Sequence, residues 1–241
     1  MTDRGTSDDS IDLTDEVRRS VFIVVPAYNE GSCIAGVVRE LRAIYPNVVV
    51  VDDGSTDDTF EQAHSAATYT LRHLINRGQG AALQTGIDFA LSRDARYIVS
   101  FDADGQHRVE DTARLIRPIA DGTCDIALGS RFLEGTGDVP FGRRLLLKMA
   151  VLFTRVVNRV PVTDAHNGLR AFSARAARKI DLTLDRMAHA SELIDQVRQS
   201  GYRFVEVPVR IRYTEYSLNK GQNARGAVRI LIHYVLGKVF P

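Results

Sequence analysis

The chain has 241 residues, 44% of them hydrophobic and 25% charged, enough to bury a full globular core and best counted as one large domain. Its two cysteines, Cys33 and Cys124, stand far apart with no CxxC spacing, which argues against a disulfide framework, a zinc knuckle or a thioredoxin-type site and points to a reducing compartment. The formal net charge of +1 excludes a nucleic-acid binder driven by bulk positive charge, yet residues 1–127 carry 12 Lys/Arg against 21 Asp/Glu, net −9, and residues 128–241 carry 19 against 9, net +10.

Residues 1–19 are polar and acidic without apolar periodicity, and read as a disordered tail. No basic n-region with an apolar h-region opens the chain, and no apolar run reaches the roughly 18 residues of a membrane span, so a cytoplasmic protein is expected. Residues 21–26 (VFIVVP) predict a buried strand, and Ile34, Val37, Val38, Leu41 and Ile44 recur at helical spacing. Strands at 48–51, 70–75, 97–101 and 125–128 then alternate with helices at 56–67, 81–91 and 109–120. Residues 132–140 (FLEGTGDVP) predict a connection rich in turn formers. The long helix expected after it has Phe141, Leu145, Met149 and Leu152 on one side and Arg144, Lys148, Arg155 and Arg159 as a basic stripe. A helix at 183–200, extended chain at 202–213 and an amphipathic helix at 226–239 complete the reading.

Continuous apolar strands between amphipathic helices define an α/β fold with a mostly parallel sheet covered on both faces. Ligands bind such sheets at the carboxyl ends of the strands. The residues there are Tyr28, Asn29 and Glu30, then Asp52, Asp53, Gly54 and Ser55, then 76–80 (NRGQG), then 102–107 (DADGQH), then Gly129, Ser130 and Arg131.

Asp102 and Asp104, at i and i+2 after an apolar strand, suit one divalent cation shared with phosphate oxygens, because Mg²⁺ and Mn²⁺ prefer hard oxygen ligands; a helix-capping Asx turn is the alternative. Adjacent Asp52 and Asp53 can accept hydrogen bonds from a nucleobase or ribose, although Gly54, Ser55 and Thr56 also suit a plain strand-to-helix turn. Gly78 and Gly80 permit close backbone approach to a phosphate or sugar, but Leu83 stands where a dinucleotide fingerprint needs a third glycine. His107 and His166 read as pocket wall.

In this order PAYNE (26–30), DDGSTD (52–57), GQGAAL (78–83), DADGQH (102–107) and GSRF (129–132) resemble the family 2 glycosyltransferases of the GT-A fold. DAHNGLRAFS (164–173) resembles a motif of the branch containing dolichyl-phosphate mannosyltransferase and bacterial polyprenyl-phosphate glycosyltransferases. The resemblance implies a metal-dependent inverting hexosyltransferase that takes a UDP- or GDP-sugar. It places Pro26, Tyr28, Glu30, Asp52, Asp53, Gly80, Asp102 and Ala103 around the nucleotide sugar, and Asp102, Asp104 and Gln106 around Mg²⁺ or Mn²⁺. Asp104 and Glu192 are the implied catalytic residues, with Glu192 a base or acceptor-site ligand on one reading and a helix-surface acid on the other. Arg131, Arg143, Arg144, Lys148 and Arg170 would meet a polyprenyl phosphate or glycan acceptor, the basic stripe being otherwise a solvated face. Residues 20–215 are the expected catalytic domain and 216–241 an amphipathic helical segment suited to the surface of a membrane or partner. Transfer to a surface polysaccharide, a nucleotidyltransferase and a non-catalytic nucleotide-sugar binding module are the alternatives. The oligomeric state is open, a homodimer or larger included.

Overall fold

In the computed structural model, residues 13–133, 162–183 and 188–212 are described. The elements expected over 134–161 and 213–241, including Arg143, Arg144, Lys148 and the terminal helix, lie outside these residues.

Among the described residues the strands are β1 (Val21–Ala27), β2 (Asn47–Asp52), β3 (Tyr69–Arg72), β4 (Tyr97–Ser100), β5 (Ile126–Ser130), β6 (Arg170–Ser173) and β7 (Phe204–Pro208). They form one sheet in the order β3-β2-β1-β4-β6-β5-β7. Four of the pairings are parallel, and β6 runs antiparallel to both β4 and β5. The helices are α1 (Asp15–Ser20), α2 (Ile34–Arg42), α3 (Thr59–Ala66), α4 (Gln79–Ser92), α5 (Glu110–Ala120), α6 (Ala174–Ala177) and α7 (Ala188–Ser200).

The runs VFIVVPA and NVVVVD form strands because β-branched side chains pack on a pleated surface and find cover on both faces. Alternate residues enter two cores. Ile23, Val25, Val48, Val50 and Val99 pack under α2, α3 and α5, and Phe22, Val24, Val49, Val51 and Ile98 pack under α4, α6 and α7. The expected α/β architecture is therefore present as a three-layer sandwich.

Three details depart from the predicted elements. The tail expected at 1–19 is ordered from Leu13, because Thr14 Oγ1 caps α1 by accepting from Val17 N, and Leu13 and Val17 pack against the core. The third strand ends at Arg72, and Leu74 and Ile75 stand in solvent at 100% and 71% exposure. The extra strand β6 lies within the DAHNGLRAFS segment and inserts between β4 and β5. Four residues of mixed polarity carry too little periodicity to announce a strand.

The order of strands reverses between β1 and β4, the place where open α/β sheets bind ligands. Pairing of β1 with β4 stops at Val24↔Ser100, and Pro26, which has no N–H to donate, lies just past it. The two chains part there and leave a crevice between the loop after β1 and the loop after β4. Among the described residues no helix is long and apolar enough to cross a membrane.

Candidate functional site

The loops after β1 and β2 are stitched together. Asn29 N donates to Ser55 Oγ (2.9 Å), Thr56 N to Asn29 Oδ1 (2.9 Å), Glu30 N to Thr59 Oγ1 (2.8 Å) and Gly31 N to Asp57 Oδ2 (3.1 Å). The Ser, Thr and Asp of DDGSTD thus hold the PAYNE loop in shape. Tyr28 is left 43% exposed at the mouth of the crevice, with Pro26 buried behind it.

Asp52 and Asp53 divide their work. Asp52 Oδ1 accepts from Ser55 N (3.0 Å), and Oδ2 lies 3.1 Å from Arg72 Nε without hydrogen-bonding geometry. Asp53 turns toward the loop after β3. Its Oδ1 accepts from Arg77 N (2.9 Å) and meets His73 Nδ1 (2.7 Å), and its Oδ2 accepts from Gly78 N (2.7 Å). Those bonds pull the chain out of the sheet after Arg72, which is why the apolar pair Leu74 and Ile75 does not continue the strand. Gly80 is buried in the first turn of α4.

Across the crevice, Asp102 Oδ1 accepts from Gln79 Nε2 (3.2 Å) and Oδ2 meets His107 Nε2 (2.9 Å). Asp104 Oδ1 accepts from Gln106 N (3.0 Å). Burial and then the charge of Asp102, with a smaller push from Glu30, hold the Asp104 carboxyl above its ordinary range, against the Gln106 amide and the charge of His107. Cys33 Sγ spans the crevice floor, 3.2 Å from Ala103 O and 3.4 Å from Glu30 Oε2. Glu30, Ala103, Asp102, Asp104 and Gln106 are therefore brought to one place. The DADGQH loop is fastened from the far edge of the sheet: Arg212 N donates to Gln106 O (2.8 Å), and His107 bridges to Ile211.

This cluster fits a divalent cation. Like-charged oxygens are crowded at the carboxyl edge, and Asp104 is held against ionising by burial and then by its neighbour Asp102, a strain that a hard cation relieves. Among the described residues no group of three or more His, Cys, Asp or Glu side chains could hold a metal by itself. One or two carboxylates completed by substrate phosphate oxygens and water are what a Mg²⁺-type site uses.

The acceptor-side residues present a different picture. Arg131 Nε and Nη2 donate to Asp164 Oδ2 (2.6 Å) and Oδ1 (2.7 Å), a bidentate pair with its side chains 11% and 1% exposed. Burial alone would raise the Asp164 carboxyl, but the hydrogen bonds and charge of Arg131 outweigh it and hold it below its usual range. Arg170 is buried in β6, where Nε donates to Asn167 O and Nη2 to Ala165 O, both at 2.9 Å. Burial lowers its pKa to about 10 although the charges of Asp102 and Asp164 favour the cation. Arg170 is thus a strut of the 164–168 turn that lies electrostatically between the two acids. Glu192, on α7, accepts from Thr183 N (3.0 Å) and Thr183 Oγ1 (2.6 Å).

Four residues of the site carried little or no usable signal. Gln79 and His73 act through partners more than 19 residues away in sequence. His107, read as pocket wall, grips Asp102. Gly168 is fixed by space: a Cβ there would sit 2.1 Å from Asp102 Oδ2, and its carbonyl accepts from Ser100 Oγ (2.7 Å).

The strand order and the crevice are those of a GT-A glycosyltransferase. A Mycobacterium tuberculosis glucosyl-3-phosphoglycerate synthase, solved with Mn²⁺ and UDP-glucose, superposes with a TM-score of 0.60 at 21% identity, covering 92% of this chain and 81% of that one. Residues 22–181 match glycosyl transferase family 2, and the chain belongs to that family; it is an enzyme of the glycosyltransferase class. It is 39% identical to an uncharacterized Methanocaldococcus jannaschii protein, covering 91% of this chain and 93% of that one. It is 30% identical to the UDP-N-acetylglucosamine–dolichyl-phosphate N-acetylglucosaminyltransferase of Methanococcus voltae (91% and 97% covered). It is 32% identical to the polyprenol monophosphomannose synthase of Mycolicibacterium smegmatis (86% and 83%).

Proposed function

We propose that this chain transfers a sugar from a UDP- or GDP-sugar to a polyprenyl phosphate of the dolichyl or undecaprenyl kind, with inversion at the anomeric carbon, in the making of cell-envelope glycans or glycoproteins. The observation that carries the reading is the pair Asp102 and Asp104 at the reversal of strand order, with Asp104 held against ionising by burial and by its neighbour. Two relatives covered over most of their length bear the names of enzymes acting on lipid phosphates or making their sugar esters, which supports that acceptor class.

Asp102, Asp104 and Gln106 are the residues that would hold Mg²⁺ or Mn²⁺, which supplies neutralisation of the charge that grows on a departing diphosphate. Pro26, Tyr28, Glu30, Asp52, Asp53, Gly80 and Ala103 line the donor crevice in this reading. A phosphate oxygen of the acceptor attacks the anomeric carbon as the bond to the nucleoside diphosphate breaks. That oxygen is ionised near neutral pH, so no general base is required and Glu192 is left to shape the acceptor side. Arg131 and Arg170 build that side from within, and Arg143, Arg144 and Lys148 supply further cations for the acceptor phosphate or an anionic membrane surface. Residues 20–215 form the catalytic domain in this proposal, between the acidic tail 1–19 and the amphipathic segment 216–241, and the enzyme works peripherally at the inner face of the cell membrane.

The test is nucleotide release from a panel of UDP- and GDP-sugars with Mn²⁺, offered polyprenyl phosphate or oligosaccharide acceptors. Release specific to polyprenyl phosphate and abolished by EDTA is expected. Release only with a hydroxyl acceptor, together with its loss in Glu192→Gln, would replace this reading by polysaccharide synthesis with Glu192 as base.

A further inference from the structure

One largely enclosed side chain belonging to none of the motifs joins Asp53 of DDGSTD to helix α4. The His73 ring, 9% exposed, has Nδ1 2.7 Å from Asp53 Oδ1 and Nε2 3.0 Å from Thr85 Oγ1 on α4. Its backbone N–H donates to Asp52 O (2.9 Å). Nδ1 thus faces the Asp53 carboxylate and Nε2 the Thr85 hydroxyl, each at hydrogen-bond distance.

Two consequences follow from the distances. A carboxylate has about four lone-pair sites. On Asp53, His73 and Arg77 N fill those of Oδ1, and Gly78 N takes one of Oδ2, so one site on Oδ2 is left for a ligand N–H or O–H. The second consequence concerns α4. Six residues before Thr85, about 9 Å along the helix, Gln79 holds Asp102. The same helix is therefore tied at one point to Asp53, through His73, and at another to Asp102.

We propose that His73 is a positioning residue for the donor nucleotide. By locking the angle of Asp53 and the seat of α4 together, it sets the spacing between the carboxylate that receives the nucleoside end and the carboxylates that face the diphosphate. This rests on the reading of the crevice as a nucleotide-sugar site.

The test is titration calorimetry of UDP and of GDP, each with Mn²⁺, into the full-length chain and its variants, beside thermal melts and donor KM and kcat. His73→Gln, whose amide reaches toward Thr85 and leaves Asp53, weakens nucleotide binding by about tenfold or more, raises donor KM in parallel and leaves kcat within about twofold. His73→Asn, whose amide nitrogen takes the place of Nδ1, restores most of the affinity. Equal dissociation constants for wild type and His73→Gln, with only a lower Tm, would overturn the inference and leave the functional reading standing. If His73→Gln does not fold, Thr85→Val decides, since unchanged affinity in that variant also overturns it. Wild type that binds neither nucleotide overturns both.

Discussion

Asp104 stands in an environment that opposes its own charge. Burial and the adjacent Asp102 raise its pKa, so the ionised form costs stability in the metal-free protein. Asp104→Asn is expected to melt no lower than wild type while losing about 100-fold or more in transfer rate; a thermal melt and a nucleotide-release assay on the same preparation check both halves. Asp164 is the opposite case. Its pKa is depressed in the fold, so it contributes stability that is present above the unfolded carboxylate value and is lost as pH falls through the folded one. Asp164→Ala removes the bidentate carboxylate partner of the largely enclosed Arg131 guanidinium and is expected to cost about 3–5 kcal/mol at neutral pH. The gap between wild type and variant should close below about pH 4, as read from denaturant midpoints against pH. The DxD pair was legible in sequence because two acids after an apolar strand are a local pattern. The occupancy of Arg131 by Asp164, 33 positions away, is not local and had no signal.

Helix α4 and strand β6 are the elements that build the site. Gly86 lets α4 lie directly on β1, because a Cβ there would fall 2.2 Å from Val24 Cγ1 in the buried face of the sheet. Val24 has a stiff χ1 and no room to yield. Gly86→Ala should destabilise by about 1–3 kcal/mol, lowering Tm by several degrees, and should weaken donor binding because Gln79 shifts with the helix. At the entry to β6, Gly168→Ala would drive a methyl into the Asp102 carboxylate. The expected result is a loss of Mn²⁺-stimulated transfer out of proportion to the change in Tm, measured by metal titration of the rate. The strands β1, β2 and β4 and the helices that follow them were legible as apolar runs and helical periods. β6 was not, since its place in the sheet comes from antiparallel pairing with β4 and β5 on either side, and its four residues show no period of their own.

Over the whole molecule, the net charge of +1 hides a division into an acidic segment that carries the crevice proposed for the donor and a basic one that includes Arg143, Arg144, Lys148, Arg155 and Arg159. If that basic half meets an acceptor embedded in lipid, the full-length chain should sediment with vesicles containing anionic lipid and release from them as salt rises toward about 0.5 M, where the Debye length has fallen below about 5 Å. Equal sedimentation with neutral vesicles, or none at low salt, would count against it. The amino-acid sequence by itself determined the alternation of strands and helices, the carboxyl-edge motifs and the family they belong to, because periodicity and strand-end chemistry are written within a few neighbouring residues. Only the tertiary structure decided which acids are spent on holding loops, which histidine grips Asp102, that Arg170 is a buried strut, and that α4 joins Asp53 to Asp102. Those roles depend on partners brought together by the sheet, and hydrogen bonds and close contacts act over a few ångströms of space whatever their separation along the chain.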